Sequence, residues 1–142
     1  MKSKKGFTLI ELLAVIVILA IIAVIATPII TGIIEDAKKN AAANSAYGAL
    51  DSVRSYYSST MLTNPNTVLP ITVDFANGDV DGEIQGSIIK MSGTRPTSGK
   101  VTLNENGTFT ITPASGKNGL MVSGYDCKYI SEKFTCTKWF DL

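Results

Sequence analysis

The chain reads as an α+β protein: one long N-terminal α-helix, then a small head built on antiparallel β-structure. Three observations predict this. Residues 7–34 contain a single charged side chain, Glu11, in 28 positions. Apolar residues then recur at Ala43, Ala46, Leu50, Val53 and Tyr57, the three-and-four spacing that lays one stripe along a helix. From Ser58 on, short β-branched runs alternate with Asn, Gly and Pro turn signals.

Bulk properties bound the rest. A length of 142 residues leaves room for one domain and a tail. Residues 58–142 alone can build only a modest core, which the long helix is expected to complete. The formal charge is +1, but Lys2, Lys4 and Lys5 supply three of the 13 basic residues. Without residues 1–6, ten Lys and Arg face 12 Asp and Glu, a side-chain sum of −2 that does not support nucleic-acid binding through net charge. There is no histidine, which removes the commonest general base and a common metal ligand. Without it there is no Ser-His-Asp triad, and no phosphate-cradling glycine loop follows a strand. The chain reads as a structural protein rather than an enzyme, with no cofactor.

The first element is residues 7–34. At about 1.5 Å per residue it makes roughly 42 Å of helix, more than the ~30 Å hydrocarbon core of a bilayer. The lysines before it hold residues 1–6 on the cytoplasmic side, so everything after Ile34 should lie outside. Glu11 is out of place in such a run. A carboxylate there costs about 2.5–3.5 kcal/mol and calls for a partner. Lys4 and Lys5 sit on the cytoplasmic flank, and the next cations, Lys38 and Lys39, come far beyond.

The run Lys4-Lys5-Gly6-Phe7-Thr8-Leu9-Ile10-Glu11-Leu12-Leu13 resembles the leader and helix start of type IV prepilins and their pseudopilin relatives. The resemblance covers about the first 40 residues, Pro28 and Gly32 included. It implies that residues 1–6 are a leader removed after Gly6 by a prepilin peptidase, and that Phe7 is then N-methylated. It also implies that Glu11 docks subunits during assembly. The freed Phe7 amine would be a positive charge at the head of an apolar helix. Meeting Glu11 of a neighbouring subunit, it would cancel that subunit's buried charge, provided the attraction offsets desolvation. Such a contact is head-to-tail, and one that does not close makes a helical filament. The implied partners are identical subunits, the peptidase, the assembly machinery and, before assembly, the cytoplasmic membrane. The implied destination is a cell-surface pilus.

Other readings account for less. A secretory signal peptide fits the lysines, and Val24-Ile25-Ala26 could end it, but the apolar run is too long and Glu11 is misplaced. A plain membrane anchor explains the length and leaves Glu11 unexplained. A pseudopilin of a secretion or DNA-uptake system shares the same helix. A β-rich binding module behind a signal or anchor is the alternative from another class.

Pro28 removes the amide that would reach the Val24 carbonyl, and Gly32 adds a second weak point. They read either as a tolerated kink or, by the resemblance, as a segment that melts when subunits pack. Residues 35–57 continue the helix as an amphipathic half, and the whole, Phe7 to about Tyr57, spans roughly 75 Å.

In the head, residues 68–75 read as an extended segment with Pro70 at an edge or a loop. A second strand is expected around Ile84, Ile88 and Ile89, and a hairpin around Asn104-Glu105-Asn106-Gly107. The expectation is one antiparallel sheet of four or five strands. Asn77, Asp79 and Asp81 resemble the opening of a calcium loop, but the twelfth position is Ile88 where Glu is needed. An acidic turn explains them as well. Asn106-Gly107-Thr108 fits a glycosylation acceptor, and a hairpin turn explains it without sugar.

A last hairpin turns around Ser131–Lys133. If Ile130 faces Lys133, then Tyr129 faces Phe134 and Cys127 faces Cys136, at a site where Cα atoms approach closely. A disulfide is feasible there, and two reduced, buried thiols are the alternative. Pilins of the family commonly staple a C-terminal loop, so the resemblance implies the bridge.

Overall fold

The computed structural model describes residues 5–76, 84–86 and 89–141. Among them, helix α1 (Leu9–Thr63) is followed by seven short strands and a closing 3₁₀ turn at Trp139–Asp141. The chain divides into two compact units at Ala37/Lys38.

The first unit is helix throughout from Leu9. Its large apolar side chains, Leu12 to Ile34, are exposed, and none of the most apolar window of α1 is buried. No described residue covers this surface, and the helix is long and apolar enough to cross a membrane.

In the second unit α1 presents Ala42, Ser45, Ala46, Ala49, Leu50, Ser52 and Val53 to the core. Small residues dominate this face, which lets backbone approach closely. A Cβ on Gly48 would lie 2.5 Å from the Ser92 carbonyl oxygen. The helix outlasts its expected end at Tyr57 by six residues. The hydroxyls that make Ser58–Thr63 look irregular bond back to the helix instead: Ser58 to Arg54 O, Ser59 and Thr60 to Tyr56 O, and Thr63 to Thr60 O, at 2.8–3.0 Å. Pro65 then ends it, because the residue before a proline avoids the helical region.

Among the described residues, two sheets replace the single one expected. The first has the order β2-β1-β3-β4, from β1 (Ile71–Asp74), β2 (Ile84–Gln85), β3 (Lys100–Leu103) and β4 (Phe109–Thr112). Pro70 immediately precedes β1, and β3–β4 is the hairpin around Gly107. The sheet departs from an antiparallel plan at β1–β2, which pair in parallel. The expected strand around Ile84–Ile89 shrinks to two residues. Ile89 leaves the ladder and buries its side chain at 2% exposure, and Ile88 lies outside the described residues. Opposite Lys100, Asp74 on β1 forms an ion pair at 3.6 Å and also accepts the Ala76 N–H.

The second sheet is a meander of β5 (Leu120–Val122), β6 (Tyr125–Ile130) and β7 (Lys133–Lys138). Ser123 and Gly124 both have positive φ, the backbone of a two-residue hairpin turn. This Ser-Gly signal, between Leu-Met-Val and Tyr-Asp-Cys, is what separates β5 from β6. Asp126 is 1% exposed, and its Oδ2 accepts the backbone N–H and side-chain amide of Asn118 at 2.8 and 3.2 Å. The core joins α1 to both sheets through Val53, Val73, Val101, Leu120 and Val122.

Candidate functional site

Gly6, Phe7 and Glu11 lie at the start of α1, and Lys2 and Lys4 lie outside the described residues. Residues 5–8 are not helical, so the Gly6–Phe7 bond lies in open chain. Gly6 has nothing within 4 Å of where a Cβ would stand, and Phe7 is 92% exposed.

Glu11 has a partner within its own turn, which a reading by charge alone misses. Its Oε2 accepts the Thr8 backbone N–H at 3.0 Å, while its own N–H donates to Thr8 Oγ1 at 3.3 Å. This is a capping box, satisfying two helix-end groups reciprocally. Its sequence signal is Thr8-x-x-Glu11. The carboxylate thus carries two duties: it closes the first turn, and it supplies negative charge where a helix N-terminus favours it.

Helix α1 passes through Pro28 and Gly32 as one element. Thr27 Oγ1 donates to Ala23 O at 2.6 Å, and Thr31 Oγ1 to Pro28 O at 3.0 Å. Hydroxyls therefore occupy carbonyls around the gap in the ladder that proline leaves. Gly32 has no neighbour within 4 Å of a Cβ position.

Far along the chain, Cys127 and Cys136 face each other across β6–β7, with Cα atoms 4.0 Å apart, and are joined as a disulfide. The register is Tyr129 opposite Phe134 and Ile130 opposite Lys133. The turn residues Ser131 and Glu132 both take positive φ without being glycine. Burial raises the Tyr129 phenol above its usual range, and the Glu132 carboxylate adds to the effect. Asn106 Oδ1 accepts from the Thr108 N–H and hydroxyl, so this side chain builds the β3–β4 turn. Asn77, Asp79 and Asp81 lie outside the described residues. Among the described residues no group of three or more His, Cys, Asp or Glu is placed to hold a metal ion.

Residues 1–27 match the prokaryotic N-terminal methylation motif, the signature of type IV prepilin leaders. Residues 51–130 match the bacterial Ig domain. Two sheets of four and three strands suit a sandwich, but the matched stretch opens within α1 and closes before β7. Both cysteines sit on one hairpin instead of bridging sheets. No curated protein and no solved structure matches the chain.

Proposed function

The chain belongs to the bacterial Ig domain family over residues 51–130, and from the prepilin leader motif over residues 1–27 we propose that it is the structural subunit of a type IV pilus. The coarser statement stands by itself: this is a pilin- or pseudopilin-like protein, and the pilin-like family is structural rather than enzymatic. In the proposed course, a prepilin peptidase cuts after Gly6, Phe7 is methylated, and identical subunits polymerise through residues 7–34 into a surface filament. The single observation that carries this is an exposed, non-helical Gly6–Phe7 bond directly before a capped helix whose residues 12–34 carry no charge.

Assembly exploits the same atoms. The Phe7 amine of one subunit approaches Glu11 of another, and the pairing gains from the low dielectric of a helical core. Residues 28–32 are the place where packing would unwind α1, since Pro28 has already removed one ladder bond.

The Ig-domain match favours a second reading, a β-rich binding module held at the membrane by an ordinary anchor or released behind a signal peptide. N-terminal sequencing with intact mass separates the two. A mature chain beginning at methylated Phe7 supports the pilin. A chain beginning at Thr27, or one retaining residues 1–6 in a working filament, overturns it.

A further inference from the structure

Strand β4 ends the first sheet, paired with β3 on one side only. Both edges of the second sheet are guarded. Residues 97–98 cover β5: the Met121 N–H donates to Ser98 O at 3.1 Å, and the Thr97 N–H to Met121 O at 2.8 Å. On β7 the Tyr47 hydroxyl accepts the Phe134 N–H, and Lys133 and Lys138 charge the two ends. Strand β4 has no such guard. No charged residue lies between Glu105 and Lys117, and neither a proline nor a bulge interrupts Phe109–Thr112. Edges are ordinarily blunted by these devices, and a bare one is a template for another strand.

Register decides which atoms face out. The Asn104 N–H donates to Thr108 O at 2.9 Å, so these two form a hydrogen-bonded pair at the turn. Alternation along the ladder makes Thr102–Thr110 and Lys100–Thr112 hydrogen-bonded pairs as well. The N–H and C=O of Phe109 and Ile111 therefore point away from β3, and among the described residues no backbone hydrogen bond reaches them. On the face opposite the buried Val73 and Val101, Thr72, Thr102 and Thr110 stand in one row across β1, β3 and β4. The Phe75 N–H donates to Gly99 O, which makes Thr72–Thr102 a non-hydrogen-bonded site, and there the two hydroxyls meet at 2.9 Å.

We propose that two copies of this chain pair β4 to β4, antiparallel and centred on Thr110. Phe109 of each copy then lies opposite Ile111 of the other, and these two pairs satisfy every outward group of both residues. Thr110 meets the second copy's Thr110 at a non-hydrogen-bonded site, the arrangement Thr72 and Thr102 already show within the sheet. Thr110 Oγ1 accepts the Asn104 amide at 2.9 Å, which leaves its proton to donate. A two-fold contact requires a self-complementary patch, and this strand is one: its centre pairs with itself and no charge faces a like charge. The contact lies wholly in the second unit and does not rest on the pilin reading.

The test uses the full chain in mild detergent. Thr110→Cys should form a disulfide-linked dimer on gentle oxidation, because Cα atoms at such a site stand about 4.5 Å apart, within disulfide reach. Thr112→Cys lies on the same face but opposite the second copy's Thr108, about 14 Å from its own counterpart, and should not link. Both positions are exposed, so neither change disturbs the core, and peptide mapping should find Cys127–Cys136 intact in each. Without oxidant, Thr110→Lys sets two ammonium groups face to face and should weaken the dimer seen in sedimentation about fivefold, whereas Thr112→Lys, opposite a threonine, should not. Equal linking by the two cysteine variants, or equal weakening by the two lysine variants, overturns the proposal and assigns association to the apolar helix. A chain that stays monomeric and does not link through Thr110→Cys overturns it too, leaving the edge to a strand from another protein.

Discussion

Tyr47 on α1 holds Phe134 on β7 twice over. Its hydroxyl accepts the Phe134 backbone N–H at 3.0 Å, and the two rings meet edge to face with centroids 5.0 Å apart. With Ile130 and Lys133 closing the turn, Phe134 sits at a position whose N–H turns away from β6. The outer strand would otherwise leave that donor unmatched, and the helix supplies the acceptor. Tyr47→Phe keeps the ring contact and removes only the oxygen. It should destabilise the second unit by about 1–2 kcal/mol, read as a lower urea midpoint with unchanged slope.

The Thr8–Glu11 pair predicts a separation of two effects. Glutamine serves at the third helical position of a capping box almost as well as glutamate, but carries no charge. Glu11→Gln should therefore leave membrane insertion and helix content intact while cutting filament incorporation at least about tenfold, the equivalent of losing ~1.4 kcal/mol of subunit pairing. Quantifying sheared filaments against membrane-bound subunit checks this. Normal filament yield would remove Glu11 from the docking contact.

Joining Cys127 to Cys136 closes a loop with a sequence separation of 9. By the chain-entropy relation that is worth about 2–3 kcal/mol. The double variant Cys127→Ser/Cys136→Ser should lose that much stability in the second unit, read as a lower thermal midpoint. Reducing agent added to the native protein should reproduce the shift, and should leave the double variant unaffected.

Tyr129 gives a pH dependence. Burial first, then Glu132, raise its phenol, so the folded state keeps a proton the unfolded state gives up. The sign is that stability is fully present below the ordinary tyrosine range near pH 10 and is lost as pH rises through the raised value. In an ultraviolet titration Tyr129 should ionise later than the unfolded chain does. Glu132→Gln should move it part of the way back, leaving the effect of burial in place.

The helix and the last hairpin were legible because each rests on local chemistry. Apolar periodicity drew α1, and a two-residue turn fixes register, which is why Cys127 meets Cys136. The end of α1 was not legible, because Ser58, Ser59, Thr60 and Thr63 can bond either inside a helix or against it, and composition does not say which. The extra hairpin β5–β6 of the second sheet turned on Ser123-Gly124, a signal weaker than Asn-Gly. Ile89 reads as a strand residue until its burial outside any ladder is seen. The capping box was written in Thr8 and Glu11, but a carboxylate in an apolar run reads first as a stranded charge and only second as a hydrogen-bond acceptor. The likeness to bacterial Ig domains had no counterpart in cysteine or tryptophan spacing.

The small-residue face of α1 has one more consequence. Ala42, Ala46, Ala49 and Leu50 belong to the buried core, yet all precede residue 51, where the Ig-domain likeness begins. A gene fragment cut at that boundary would expose Val53, Val101 and Val122 to water along a missing wall. The module here is not a portable bead on a string: residues 42–50 of the helix are one wall of its core, and a transplanted head would need that wall rebuilt.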